Sequence, residues 1–145
     1  MAEHPHLVTI RKYLDGCSTA NAELVKSTVT PDFIHYFLTI PPIRGATEFA
    51  DAVVAYPKEY QAHWTVDHAI VEGNEAVIEW TQRWVPPGRS QVELLRGTEW
   101  YLFKEGRIAE VRAYFVGHET QGEPGRHELY DFPYAERGYS LLSKS

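Results

Sequence analysis

Cysteine is nearly missing from this chain: Cys17 is the only one in 145 residues, which excludes an internal disulfide and a cysteine-rich metal site. Positive charge is also in short supply. Fourteen Lys and Arg face 20 Asp and Glu, a formal net charge of −6, whereas a nucleic-acid scaffold needs a basic face to neutralise phosphates. No apolar run approaches the roughly 20 residues of a membrane span, and no cationic stretch followed by an apolar one resembles a leader. G-x-G-x-x-G, P-loop and G-x-S-x-G motifs are all lacking, so nucleotide cofactors and serine-hydrolase chemistry have no support. The expectation is a soluble, cytoplasmic protein that works without a cofactor and touches neither nucleic acid nor membrane.

Aromatic residues, by contrast, are plentiful. Six Phe, nine Tyr and four Trp, with 43% hydrophobic and 23% charged residues, are the composition of a globular fold, and the length suits one domain over residues 1–145. Its core is expected over about residues 7–116 and an aromatic tail over 117–145. After a polar start read as frayed (His4, Pro5, His6), Leu7, Ile10, Leu14 and Cys17 recur close to helical spacing. Ser18 and Thr19 suit caps for a second helix from Ala20 to about Thr28, with Ala20, Leu24 and Val25 as its buried stripe. Thr30-Pro31-Asp32 reads as the turn that ends it.

Phe33 to Leu38 then favours a strand. A third helix is predicted from about Ala46 to Ala55, interrupted at Pro57. Strands follow at Trp64 to Val71, Ala76 to Val85, Val92 to Phe103 and Ile108 to Val116. They are separated by Glu72-Gly73-Asn74-Glu75, Pro86-Pro87-Gly88 and Lys104-Glu105-Gly106-Arg107. Helices first and antiparallel strands afterwards predict an α+β fold, three helices on a strongly curved, mainly antiparallel sheet that forms a cone with an apolar interior. Tyr130, Phe132, Tyr134 and Tyr139 predict a tail folded back on the body or on a partner.

Several segments carry a family resemblance: Pro31-Asp32-Phe33-Ile34-His35, Pro41-Pro42-Ile43-Arg44-Gly45, Val71 to Val77, Arg96-Gly97-Thr98-Glu99-Trp100 and, above all, Phe103 to Phe115. In this order they resemble the nuclear transport factor 2 superfamily, specifically its SnoaL-like branch, over about residues 7–116. The resemblance implies the cone-shaped α+β barrel and pairing through the outer face of the sheet as a homodimer. It implies no single activity, because the fold hosts polyketide cyclases, epoxide hydrolases, ketosteroid isomerases, dehydratases and non-catalytic binding domains. Where limonene-epoxide-hydrolase-like relatives carry an Arg and two Asp, this chain has Trp80, Gln82 and Ala113, so water activation by paired carboxylates is not implied. A pocket Tyr and Asn of those relatives fall on His35 and Phe37. SnoaL-like cyclases use an Asp near the end of the last strand, where this chain reads Ala113-Tyr114-Phe115-Val116.

Alternation along strands assigns the faces. Phe33, His35 and Phe37 share one, which the resemblance makes concave. An imidazole among aromatic rings stays neutral near pH 7 and suits a general base or proton shuttle; the competing reading is a core histidine satisfied by a carbonyl. Ile78, Trp80, Gln82 and Trp84 form a pocket wall with Gln82 as its polar handle, either for a substrate carbonyl or for a neighbouring strand, while Val77, Glu79, Thr81 and Arg83 face away. Trp80 and Trp84 suit a flat or apolar ligand, though simple packing explains them too. Phe103 and Ile108 flank the last hairpin, which sets Glu99 against Arg112 and Trp100 against Val111. Glu99 and Arg112 then form an exposed cross-strand pair, or a buried charged site if that face is the cavity; the apolar run Val111, Ala113, Phe115 favours the exposed pair. His63 and His68 face opposite ways and make a poor metal pair, and the tail pairs His118-Glu119 and His127-Glu128 lack a ligand set, so no metal is expected.

These readings converge on a small enzyme acting on a hydrophobic organic molecule with a carbonyl or an acidic C–H, by isomerisation, cyclisation or elimination. His35 moves the proton, Gln82 or Tyr36 polarises an oxygen, and Phe37, Trp80, Trp84, Trp100, Val111, Ala113 and Phe115 shape the pocket. A non-catalytic binding or assembly domain is the alternative from another class. An epoxide hydrolase with a rearranged site is a third, which requires Glu79 or Glu99 to point inward.

Overall fold

In a computed structural model, which describes residues 2–115 and 129–139, the helical spacing of the first segment becomes α1 (Pro5–Ser18). The start is capped rather than frayed. His4 Nδ1 accepts from the His6 N–H at 3.0 Å, Pro5 takes a first-turn position where its missing N–H costs nothing, and the His6 ring stacks on Phe103 at 3.9 Å.

α2 runs over Ala22–Thr28 and is capped by Asn21, whose side chain accepts from the Leu24 N–H at 3.0 Å. Ser18 and Thr19 are used elsewhere: Ser18 Oγ accepts from the Trp64 N–H at 3.0 Å, and the Thr19 hydroxyl donates to the Asp15 carbonyl. Ala20 takes a left-handed φ of 57° between the helices and is not part of a buried stripe; Val25 and Thr28 are the buried residues of α2. No turn separates α2 from the sheet, because Thr30-Pro31-Asp32 already lies within β1 (Val29–Tyr36).

The two-residue strand β2 (Ile43–Arg44) leads into α3 (Ala46–Val53) and the short α4 (Ala55–Tyr60). Pro57 falls in the first turn of α4, where a proline is tolerated, so it begins a helix rather than interrupting one. Four long strands complete the sheet: β3 (His63–Glu72), β4 (Glu75–Trp84), β5 (Glu93–Lys104) and β6 (Arg107–Tyr114). Their spatial order is β2-β1-β6-β5-β4-β3; β1 and β6 run parallel and every other neighbour antiparallel. The sheet curves around the helices, and Ile10, Tyr13, Phe33, Phe49, Trp80 and Tyr101 fill the core between them. Among the described residues no helix is long and apolar enough to cross a membrane.

Residues 129–139 fold back on the body, as the aromatic content predicts. They pack on the outer face of β1 and β6, where Tyr36 and Leu38 meet Leu129 and Phe132. Arg137 grips the buried Glu110 carboxylate through two bonds of 2.9 and 2.7 Å, and the Tyr130 N–H donates to the Phe37 carbonyl at 2.6 Å. The pairs His118-Glu119 and His127-Glu128 lie outside the described residues.

Candidate active site

The helices and the curved sheet leave a cavity of about 300 Å³ between them. α1 contributes Tyr13, Leu14 and Cys17; β1 and its extension contribute His35 and Phe37; α3 contributes Phe49; β4 contributes Trp80, Gln82 and Trp84; β5 contributes Leu95 and Glu99. Alternation delivers the β4 set, since Ile78, Trp80, Gln82 and Trp84 are all buried while Glu79 and Arg83 are exposed.

His35 is 4% exposed and held between two rings, stacked on Phe37 at 4.2 Å and on Phe49 at 4.8 Å. Its Nδ1 is buried without a hydrogen-bond partner among the described residues. Desolvation lowers the imidazole to about 3, against a weaker opposing pull from the Tyr36 backbone, so the ring is neutral at physiological pH.

Glu99 faces the cavity, which overturns the exposed-pair expectation. Alternation with the buried Tyr101 and Phe103 sets that face, and one extra residue in β6 takes Arg112 to the other one. Phe103 lies opposite Ile108 as predicted, but Leu102 lies opposite Glu110, so Ala109 is bulged out and the register beyond it shifts by one. Glu99 therefore pairs with Ala113 and Trp100 with Arg112. Glu99 and Arg112 end on opposite faces.

The buried carboxyl, 5% exposed, accepts from the Tyr101 hydroxyl at 2.6 Å. Desolvation pushes it up to about 7, opposed by the Tyr101 hydroxyl and the Trp80 indole. Burial first, and the Glu99 charge after it, also push the Tyr101 hydroxyl and the Cys17 thiol up. Trp80 Nε1 itself makes no well-formed hydrogen bond among the described residues. Glycine at position 97 lets that indole lie flat, because a Cβ there would stand 2.6 Å from Trp80 Cζ2.

Residues 10–111 match the SnoaL-like domain family. The chain belongs to that family. Within the wider fold, this SnoaL-like domain is similar to a protein of unknown function with a cystatin-like fold from Methylobium petroleophilum PM1 (30% identity, TM-score 0.82, 100% of this chain and 97% of that one). It is similar in fold to a ketosteroid isomerase-like protein from Catenulispora acidiphila DSM 44928 in complex with trimethylamine (11%, TM-score 0.68, 74% and 85%). TerC co-crystallized with polyporic acid shares the fold as well (15%, TM-score 0.67, 78% and 92%). No curated protein matches the chain.

Against the candidates of the sequence analysis, His35, Gln82, Phe37, Trp80, Trp84 and Phe115 line the cavity of the SnoaL-like domain. Tyr36 does not: alternation turns it to the outer face, buried against Phe132 at 5.1 Å. Trp100 is also outside, 39% exposed, with its indole N–H donating to Glu75 at 3.0 Å. Arg112 lies beside it, its guanidinium over the Trp100 and Phe132 rings at 5.5 and 5.3 Å. Val111 and Ala113 are fully buried but do not line the cavity. A second bulge, between Val66 and His68, leaves both His63 and His68 exposed, and among the described residues no His, Cys, Asp and Glu cluster could hold a metal. Tyr101, Tyr13 and Cys17 are site residues that the sequence reading missed, and Glu99 is one whose inward placement it left open as the less favoured alternative. The available signal was the alternation Glu99, Tyr101, Phe103, which puts the carboxyl on the apolar side of β5.

Proposed function

We propose that this SnoaL-like domain is a cofactor-independent enzyme of proton-transfer chemistry, isomerisation, cyclisation or elimination, acting on a hydrophobic carbonyl compound held in the cavity. One observation supports it above the others: a buried carboxyl, Glu99, stands in an apolar cavity with its titration moved to about 7. A proton carrier works best when its pKa lies near the working pH, because it can then both take a proton and return it. The Glu99 carboxylate removes a proton from the carbon next to the carbonyl. The C–H pair becomes a new C=C bond and the carbonyl π pair moves to oxygen, giving an enolate. Where the substrate carries a C=C conjugated with that enolate, the Glu99 acid then returns the proton at the far carbon of the dienolate and the double bond moves, or a leaving group departs from the β carbon. Gln82 or the neutral His35 hydrogen-bonds the oxygen.

The carrier's role thus passes from His35 to Glu99, since an imidazole at about 3 is a weak base at neutral pH. The small molecules bound by the ketosteroid isomerase-like protein and by TerC support a ligand-accepting interior. The inward carboxyl also meets the requirement for an epoxide hydrolase with a rearranged site, but Glu99 has no second carboxylate or Arg beside it among the described lining residues. A homodimer through the outer sheet face belongs to the same proposal; a monomer by light scattering at micromolar concentration would count against it.

Deuterium exchange in D2O, followed by NMR on a panel of hydrophobic ketones, tests the reaction. Catalysed exchange next to the carbonyl that is lost in Glu99→Gln is the expected result. Binding of ketones without catalysed exchange for any of them would leave a non-catalytic binding domain.

A further inference from the structure

The cavity carries an unbalanced charge. No Lys or Arg is among its described lining residues, and Glu99 is the one carboxyl that faces it. His35, from β1, is neutral above about 3. The other titratable groups around Glu99, Tyr13 and Cys17 from α1 and Tyr101 from β5, are all pushed above their ordinary values by burial. From acid to mildly alkaline pH, therefore, the interior changes charge at Glu99 alone, between zero and −1. The walls are aromatic, with Tyr13, Phe37, Phe49, Trp64, Trp80 and Trp84 presenting rings to the space. The whole chain adds a net −6, which draws cations toward the mouth.

We propose that the cavity is a binding site for hydrophobic tertiary amines, taken up as ammonium ions that donate their single N–H to the Glu99 carboxylate between the aromatic rings. Each property of the ligand follows from the wall. A carboxylate ligand would put a second negative charge beside Glu99 with no cation to offset either. A primary ammonium brings three donors that all need acceptors once buried, and beside Glu99 the cavity offers only neutral ones such as Gln82 and His35. A tertiary ammonium brings one donor, and its N-methyl and benzyl-type carbons suit ring faces, where cation–π attraction is strongest once water is excluded. The inference rests on the placement of Glu99 that also underlies the proposed reaction, but it concerns binding and needs no turnover.

Isothermal titration calorimetry on the full chain with N,N-dimethylbenzylamine, phenylacetone and phenylacetate, three ligands of matched size and different charge, tests it. At pH 8 the amine is expected to bind on the order of tenfold more tightly than the ketone, with phenylacetate weakest. At pH 5.5, where Glu99 is mostly protonated, the amine's advantage should fall about tenfold or more, and this arm uses the unaltered protein. Glu99→Gln should abolish the advantage at pH 8. Phenylacetate binding as tightly as the amine, no binding of the amine, or an amine preference independent of pH would each overturn the proposal. Absence of deuterium exchange into phenylacetone would remove the reaction and leave the amine result standing, so the two fail separately.

Discussion

Replacing Glu99 by Gln should make the protein more stable at neutral and alkaline pH. Burial holds the carboxyl at about 7 in the folded chain, against an ordinary value of 4.5. The folded state therefore binds more protons than the unfolded state between those values, and stability falls as pH rises through that window. At 1.36 kcal/mol per pH unit the full loss is about 3 kcal/mol, complete above about pH 7.5. Gln has nearly the same shape, still accepts from the Tyr101 hydroxyl and never ionises. The two proteins should be equally stable near pH 4, diverge between about 4.5 and 7, and differ by about 3 kcal/mol at pH 8, or roughly 6–12 °C in midpoint for a chain of this size. The His35 contribution has the opposite slope, rising with pH between about 3 and 6.5, but it is common to both proteins and cancels in the difference. Urea and thermal unfolding at half-unit pH steps would measure it. A difference that stays flat with pH, or a Glu99→Gln variant less stable than the parent at pH 8, would refute the buried carboxylate.

Three further outcomes are expected. His35→Phe keeps an aromatic ring between Phe37 and Phe49 and removes the acid-sensitive group, so its unfolding profile should lack the parent's loss of about 4–5 kcal/mol between pH 6.5 and 3; parallel profiles would show that His35 is protonated normally. Gly97→Ala drives a methyl to 2.6 Å from Trp80 Cζ2 and 3.0 Å from Phe115 Cβ, which should cost about 1–3 kcal/mol in urea; parental stability would mean that the indole yields freely. Arg137→Ala leaves the buried Glu110, among the described residues, with only Arg112 at 3.6 Å, and about 1–2 kcal/mol should be lost, with faster hydrogen exchange at the Tyr130 amide. Unchanged exchange there would show that Arg137 does not hold residues 129–139 down.

Much of the architecture was legible because periodicity reports it directly. The helical spacing of Leu7, Ile10, Leu14 and Cys17 and the alternation along β4 depend on which side of an element meets the core, and both kept their predicted sense. Element ends were less legible: Ser18 bonds a distant strand, a choice made by tertiary contact rather than by local cap preference. The site was half legible. His35, Phe37, Trp80, Gln82, Trp84 and Glu99 follow from alternation along their own strands, whereas the parting of Arg112 from Glu99 depended on register across two strands. One bulged residue, Ala109, reverses the face of everything paired beyond it, and neither Ala109 nor its neighbours carry a residue type that marks a bulge. Tyr36 and Trp100 were drawn into the pocket by their chemistry although their own strands alternate them outward. Arg112, too, found its neutralising partners on the outer face, in Glu110 and two aromatic rings.

The titration of Glu99 itself is the most direct measurement. With ¹³C-labelled glutamate side chains, one carboxyl resonance that disappears in Glu99→Gln should titrate with a midpoint near 7 in the folded protein. A midpoint near 4.5 for that resonance would place the carboxylate in water, and the proton-carrying cavity would have no carrier.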